Sequence, residues 1–169
     1  LKSIGAEIVE GKFQNISEWE KSLNGIDTVI HCAAPIEVWG DWKNFYEDIV
    51  LNTKNLLVAS DKQKVKRFIY ISSESVLQDK LPLLDIDETF PYPEEPNSFY
   101  GKSKMLAEKE ILNFSGSIES IILRPTFIWG KGVKALDTMV DKIKSGQFIW
   151  IGNGECLIEM VHVENVVEA

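Results

Sequence analysis

The chain has 169 residues, 44% hydrophobic and 26% charged, with a formal net charge of −8. That is one domain's length with enough apolar residues for a packed core, which excludes a disordered chain. The acidic balance argues against a nucleic-acid or anionic-membrane surface, both of which need clustered Lys and Arg.

Two cysteines, Cys32 and Cys156, are too few for a disulfide framework, and no Cys/His spacing resembles a zinc site. No apolar run reaches the length of a membrane span. A cytoplasmic protein with no metal and no integral membrane segment is the expectation. The chain starts at Leu1 and stops within VHVENVVEA, so both ends read as cut and a fragment of a longer protein is expected.

In chain order, strands and helices alternate. AEIVEG (6–11) reads as a strand. SEWEKSL (17–23) reads as a short helix with Ser17 at N-cap and Glu20 three residues on, the capping-box spacing. DTVIHCAA (27–34) is a buried strand in which Cys32 reads as a small buried residue. Residues 43–63 form a long helix with Phe45, Ile49, Leu51, Leu56 and Leu57 on its apolar positions, and KRFIYIS (66–72) is the next buried strand.

FYGKSKMLAEKEILNF (99–114) is a helix, IESIILRP (118–125) a strand stopped by Pro125, and 133–145 a helix ended by Gly146. FIWIG (148–152) and LIEMVHV (157–163) read as short strands around a GNG hairpin turn. Continuous apolar strands separated by helices imply the α/β class, a doubly wound parallel sheet covered on both faces. Ligands in this class bind beyond the carboxyl ends of the strands, after IHCAA, YISS and LRP.

Tyr100 and Lys104 stand four apart, on one face of a helix. A free phenol titrates near ~10 and is a poor base at neutral pH. An ammonium beside it favours the phenolate and suits it to proton exchange with a substrate oxygen. The same spacing is also ordinary on a solvated helix. Ser72, Ser73 and Ser75 close the preceding strand in SSESV, where a hydroxyl can hold a substrate oxygen against the tyrosine, or serve only as loop. Trp39, Trp42 and Phe45 suit an apolar substrate wall or a loop anchor equally, and Glu74 suits a substrate contact or an exposed loop charge.

The ordered stretches DTVIHCAAP, LNTKNLLVAS, VKRFIYISSESV, DETFPYPEEPNSFYGKSKMLAEK, IILRPTFIWG and VHVENVVEA resemble an extended short-chain dehydrogenase/reductase, of the NAD-dependent epimerase/dehydratase superfamily, over nearly the whole chain. HCAAPIEVWGDW and FIWIGNGECLIEMVHVENVVEA are similar to the 3β-hydroxysteroid dehydrogenase/isomerase-like branch. The resemblance implies a Rossmann-like fold truncated at both ends: a single partial dinucleotide-binding domain over 1–169, with 146–169 starting the substrate-binding part. It implies NAD or NADP as cofactor. The implied activity is an oxidoreductase moving a hydride between nicotinamide and a secondary alcohol or ketone on a small-molecule substrate, sterol-like by its apolar loop.

By the same resemblance Tyr100 is the acid/base, Lys104 lowers its pKa and binds the nicotinamide ribose, and Ser73 is the catalytic hydroxyl, with Ser72 and Ser75 as alternatives. His31, Cys32, Ala33 and Ala34 lie along the cofactor. Asn52 supports the active-site loop or makes a helix-face contact, Ser72 borders the cofactor, and Pro125 and Thr126 lie by the nicotinamide amide. Trp39 and Glu74 are candidate substrate contacts, and pairing through the Tyr100 helix implies a homodimer.

Departures matter too. No Gly-rich phosphate turn is present, and the residues that choose NAD or NADP are absent. Lys12 stands where the family often has an adenine-contacting Asp, and an ammonium cannot accept that hydrogen bond. A sheet without its first strands is expected to leave an open edge and an uncovered apolar face, so the fragment alone should be inactive and marginally stable. Two alternatives stand beside the dehydrogenase. One is a UDP-sugar-type epimerase, with Glu74–Ser75 in place of a dehydratase Asp-Glu pair. The other is a non-catalytic nucleotide-sensing or interaction protein on the same fold.

Overall fold

A computed structural model describes residues 2–35, 39–150 and 152–169. Ile36–Val38, inside the HCAAPIEVWGDW stretch, and Ile151, inside the FIWIG strand, lie outside the described residues. The chain divides into two compact units, Leu1–Arg124 and Pro125–Ala169. Residue 146, the expected start of the substrate-binding part, falls within the second.

The first unit is built on β1 (Thr28–His31), β2 (Arg67–Ile71) and β3 (Glu119–Leu123), parallel throughout and ordered β1-β2-β3. Ile69 stands between Ile30 and Ile121, and Phe68 beside Val29. Parallel neighbours need a crossover, and a helix supplies each one. Between β1 and β2 run α2 (Trp42–Phe45), a π-helical stretch (Tyr46–Leu51) and α3 (Asn52–Lys62); between β2 and β3 runs α4 (Phe99–Leu112). Their apolar stripes, Ile49, Leu56, Leu57, Ala107 and Ile111, close on Val29, Phe68 and Tyr70. The α/β class with parallel strands is therefore as expected.

Period-two alternation sends the other residues of each strand to the opposite face. Ile30 is 62% exposed there and Ile121 37%. Coverage of both faces thus fails among the described residues, and the open apolar face and edge expected at β1 are present.

Local expectations fare unevenly. AEIVEG forms no ladder: a strand needs a neighbour, and none lies beside 6–11 among the described residues. The helix at 16–23 is one α-turn, α1 (Ile16–Trp19), tightening to 3₁₀ at Glu20–Leu23, and Asn15 rather than Ser17 precedes it. Asn15 Nδ2 and the Lys12 backbone N–H both donate to the Glu18 carboxylate, at 2.8 and 3.0 Å, which ties the entry of the helix together. Cys32 is exposed rather than buried, because β1 ends at His31 and the next residue falls on the open side.

The second unit pairs β4 (Phe127–Trp129) with β5 (Met160–His162) in parallel and holds α5 (Lys134–Lys144) and α6 (Val163–Glu168). GNG is therefore not a hairpin turn. It forms a 3₁₀ turn at Gly152–Gly154, and β5 takes its ladder from β4 instead of from 148–150. His162 is structural: Nδ1 accepts from the Glu164 N–H at 3.4 Å, and its ring meets Trp129 edge-on at 4.7 Å. No helix among the described residues is long and apolar enough to cross a membrane.

Candidate functional site

β2 delivers its chain end to one point. Ser72 N–H donates to the Leu123 carbonyl at 2.7 Å, holding the exit of β2 against β3. Ser73 then caps the 3₁₀ turn Glu74–Val76: its Oγ accepts from the Ser75 N–H at 3.2 Å and donates to Glu74 Oε2 at 2.9 Å. Ser98 caps α4 in the same way, its Oγ accepting from Gly101 N–H at 3.0 Å. Tyr100 thereby sits in the first turn of α4 and Lys104 one turn on.

Gly101 lets this turn and α4 meet. A Cβ there would lie 2.4 Å from the Ser75 carbonyl oxygen and 3.2 Å from its carbon. Those atoms are backbone and cannot swing away. In an open helix Gly→Ala gains up to ~1 kcal/mol; here Gly101→Ala is expected to cost about 1–3 kcal/mol by overpacking. The sign of the shift in the denaturation midpoint checks the contact, and a stabilised variant would refute it.

Lys104 is 2% exposed. Its Nζ donates to the Ile71 carbonyl at 2.8 Å, 4.6 Å from the centroid of the Tyr70 ring and 5.9 Å from that of Tyr100. Burial pulls its pKa down to about 8. The Tyr100 phenol, half-buried, is pushed up by burial and by the negative charge of Glu74. The ammonium is near, as the spacing implied, while the causes that raise the phenol's pKa are burial and Glu74.

His31 places its ring inside the core rather than in the loop. Nε2 lies 3.0 Å from Thr53 Oγ1, and Phe13, Phe68 and Tyr70 surround the imidazole. Burial, helped by Lys104, lowers its pKa to about 4. An unfolded histidine titrates near ~6.5, so the native state refuses a proton that the unfolded chain accepts. Its contribution is complete above about pH 6.5 and is lost as the pH falls toward 4, at most ~3 kcal/mol. Urea midpoints of the full-length protein between pH 7 and 4 are expected to fall, and His31→Asn to flatten that slope. An unchanged slope would count against the burial.

The other named residues are scattered. Cys32 and Ala33 are exposed and Ala34 half-buried beyond the carboxyl end of β1. Asn52 directly follows the π-helical stretch, a local widening of the helix. Its Nδ2 donates to the Asp48 carbonyl at 3.1 Å, while its Oδ1 is buried without a partner among the described residues. The Ser72 and Ser75 hydroxyls are also buried without partners among the described residues, and buried polar atoms left so are uncommon. Trp39 is 88% exposed. Trp42 packs on Tyr46 and Phe99, and Phe45 is buried, so these two anchor the helix. Pro125 and Thr126 are half-buried residues of the second unit.

Three features escaped the sequence reading: the bond that ties Ser73 to Glu74, the contact at Gly101, and a buried cluster of Tyr92, Glu108 and Arg124. Only Gly101 had a local signal, a glycine inside a helix that opens with Tyr.

The family model described as 3-beta hydroxysteroid dehydrogenase/isomerase family matches residues 1–169. Among similar proteins, a Stigmatella aurantiaca enzyme named 4-hydroxy-2-methyl-3-oxo-4-farnesyl-3,4-dihydroquinoline-1-oxide ketoreductase is 31% identical over 99% of this chain and 51% of its own length. A Dictyostelium discoideum protein named sterol-4-alpha-carboxylate 3-dehydrogenase, decarboxylating, is 30% identical over 98% of this chain and 53% of its own. The solved structure of MoeE5 in complex with UDP-glucose and NAD is 26% identical, with a TM-score of 0.74 over 94% of this chain and 55% of that one. The chain spans about half the length of the curated relatives it matches.

Proposed function

The chain belongs to the 3-beta hydroxysteroid dehydrogenase/isomerase family, and on that premise we propose that it carries the proton-transfer half of an oxidoreductase acting on secondary alcohols and ketones, with NAD as cofactor. Bound nicotinamide supplies the hydride chemistry. Tyr100 exchanges the proton with the reacting oxygen, Ser73 positions that oxygen, and Lys104 holds the ribose. One observation supports the reading: the turn that holds Ser73 on Glu74 packs against α4 at Gly101, the residue after Tyr100, and the buried Lys104 Nζ lies 5.9 Å from the centroid of the Tyr100 ring.

The residues fit the cofactor. An ammonium has three donors, and among the described residues Nζ uses one, on the Ile71 carbonyl. Two remain for neighbouring hydroxyls. Cys32, Ala33 and Ala34 are small, and the first two are exposed, so a flat group can approach the backbone. NAD rather than NADP is supported by the NAD in the MoeE5 complex.

A sterol-like substrate is supported by the Dictyostelium relative's name and a ketone by the Stigmatella relative's. The UDP-glucose in the MoeE5 complex supports a second reading, a UDP-sugar epimerase using the same three side chains. Two exposed free cysteines suit a reducing cytoplasm. A homodimer through α4 is our expectation, with exposed Phe99 and Leu112 at its surface.

The experiment is a titration of the full-length protein with NADH, followed by nicotinamide fluorescence, then turnover of 3β-hydroxysteroids and UDP-sugars. Saturable binding with steroid oxidation is expected. Absence of binding by a folded full-length protein would overturn the proposal in favour of a non-catalytic interaction protein.

A further inference from the structure

The Ser73 hydroxyl has one proton and two lone pairs. Its proton goes to Glu74 Oε2 at 2.9 Å, and one lone pair takes the Ser75 N–H at 3.2 Å. What remains is a single acceptor site. A ketone oxygen, or the oxygen of an alcohol losing its hydride, needs a donor there. As held by Glu74, Ser73 cannot supply one, and the carboxylate's charge opposes the negative charge that builds on that oxygen. Its effect is already visible on the neighbouring Tyr100 phenol, which Glu74 helps to push up. Among the described residues the other carboxylate oxygen, Oε1, accepts only a long bond from Gln78 Nε2 at 3.3 Å. Glu74 is half-buried, so part of its side chain is open to solvent.

We propose that Glu74 is a specificity-determining residue that reads a second hydrogen-bond donor on the substrate, a hydroxyl on the carbon next to the reacting one. That hydroxyl donates to the Glu74 carboxylate and takes it off Ser73. The Ser73 proton then turns to the reacting oxygen, which at a normal hydrogen-bond length of about 2.8 Å sits within one side chain's reach of the carboxylate. The second hydroxyl keeps its own proton and no bond to it is made or broken. The inference rests on the reading of Ser73 and Tyr100 given under Proposed function, and it narrows the substrate to vicinal hydroxy-alcohols and hydroxy-ketones. A plain secondary alcohol leaves the carboxylate on Ser73 and is turned over poorly.

The probes are cyclohexanol and trans-1,2-cyclohexanediol with NAD and the full-length enzyme. Wild type is expected to favour the diol in kcat/KM by about 10–100-fold, below the largest discriminations known for buried hydroxyl contacts because Glu74 is half-exposed. Glu74→Ala is expected to gain about tenfold on cyclohexanol and lose the preference. The isosteric Glu74→Gln should shift in the same direction, which covers any packing loss in the alanine variant. A second readout needs no turnover: calorimetric binding of the diol to the cofactor-free protein is expected to weaken about tenfold in Glu74→Ala, with cyclohexanol unaffected. Glu74 variants no faster than wild type on cyclohexanol, or an unchanged diol preference, would overturn the inference. Tyr100→Phe separates the two failures: activity surviving in it sinks the proton-transfer reading itself, whereas its loss alongside unchanged Glu74 variants sinks only the role of Glu74.

Discussion

Tyr100→Phe in the full-length enzyme is expected to lower kcat/KM by about 10²–10⁴-fold while NADH affinity stays within about twofold. The variant removes one oxygen from a partly buried ring packed on the main core cluster, and Lys104 keeps its bond to the Ile71 carbonyl, so the fold is expected to be unchanged. What disappears is the group proposed to give the proton to, or take it from, the reacting oxygen.

The phenol's environment adds a pH signature. Burial and the Glu74 charge both push its pKa up, so at neutral pH Tyr100 carries its proton. In the proposed role, ketone reduction would use that protonated form and should be flat from pH 6 to 8. Alcohol oxidation would use the phenolate and should rise with pH throughout the same range. Glu74→Gln removes one of the two causes and should move the oxidation limb toward lower pH. A wild-type oxidation rate independent of pH, with chemistry rate-limiting, would contradict the assignment of Tyr100 as the base.

Long-range order was legible in the sequence where local pattern and tertiary context agree. β1, β2 and β3 are apolar runs bounded by turns, and α4 opens with Ser98 at its cap, so each element lies within a few residues of its expected place. AEIVEG has the same local pattern and fails, because a strand is completed by a neighbour that the segment itself does not encode. Cys32 fails for a related reason. An apolar run shows that a strand has buried residues, but period two decides which ones, and Cys32 falls opposite Val29 and His31.

The candidate site was legible as a set of residue types and not as a set of bonds. The spacing of Tyr100 and Lys104 placed them on one helix face, and SSESV placed hydroxyls at the end of β2. No spacing rule said that Ser73 would give its proton to Glu74, since that depends on a rotamer chosen by the 3₁₀ turn. His31 is the converse case. It was grouped with the cofactor loop by its neighbours, yet its side chain belongs to the core through Thr53, twenty-two positions away.

The largest stability loss is expected from Glu108, which no sequence motif singled out. Glu108 is fully buried on α4, about two turns beyond Tyr100. Arg124, the last residue of the first unit, forks onto it, with Nη2 2.7 Å from Oε2 and Nε 3.1 Å from both oxygens. Tyr92 completes the cluster from the long loop after β2: its hydroxyl donates to Oε2 and accepts from Arg124 Nη2 at 2.9 Å. Burial and the carboxylate push that phenol up to about 12, which keeps it a donor. The Arg124 guanidinium is held more firmly protonated by the same carboxylate.

Three segments distant in sequence thus meet on one carboxylate: the loop, α4 and the end of β3. Glu108→Ala leaves a partly buried guanidinium and a phenol without their acceptor, and removing one member of such a pair typically costs about 3–5 kcal/mol. Replacing both charges, as in Glu108→Leu with Arg124→Met, should recover much of that loss, because the uncompensated charge is the main cost rather than the missing attraction. Urea midpoints of the two single variants and the double variant in the full-length protein measure the coupling. Single variants within about 0.5 kcal/mol of wild type would show that the cluster adds nothing to the fold. Because α4 also carries Tyr100 and Lys104, the same single variants should lose turnover in proportion to the loosening of that helix, and the double variant should regain it.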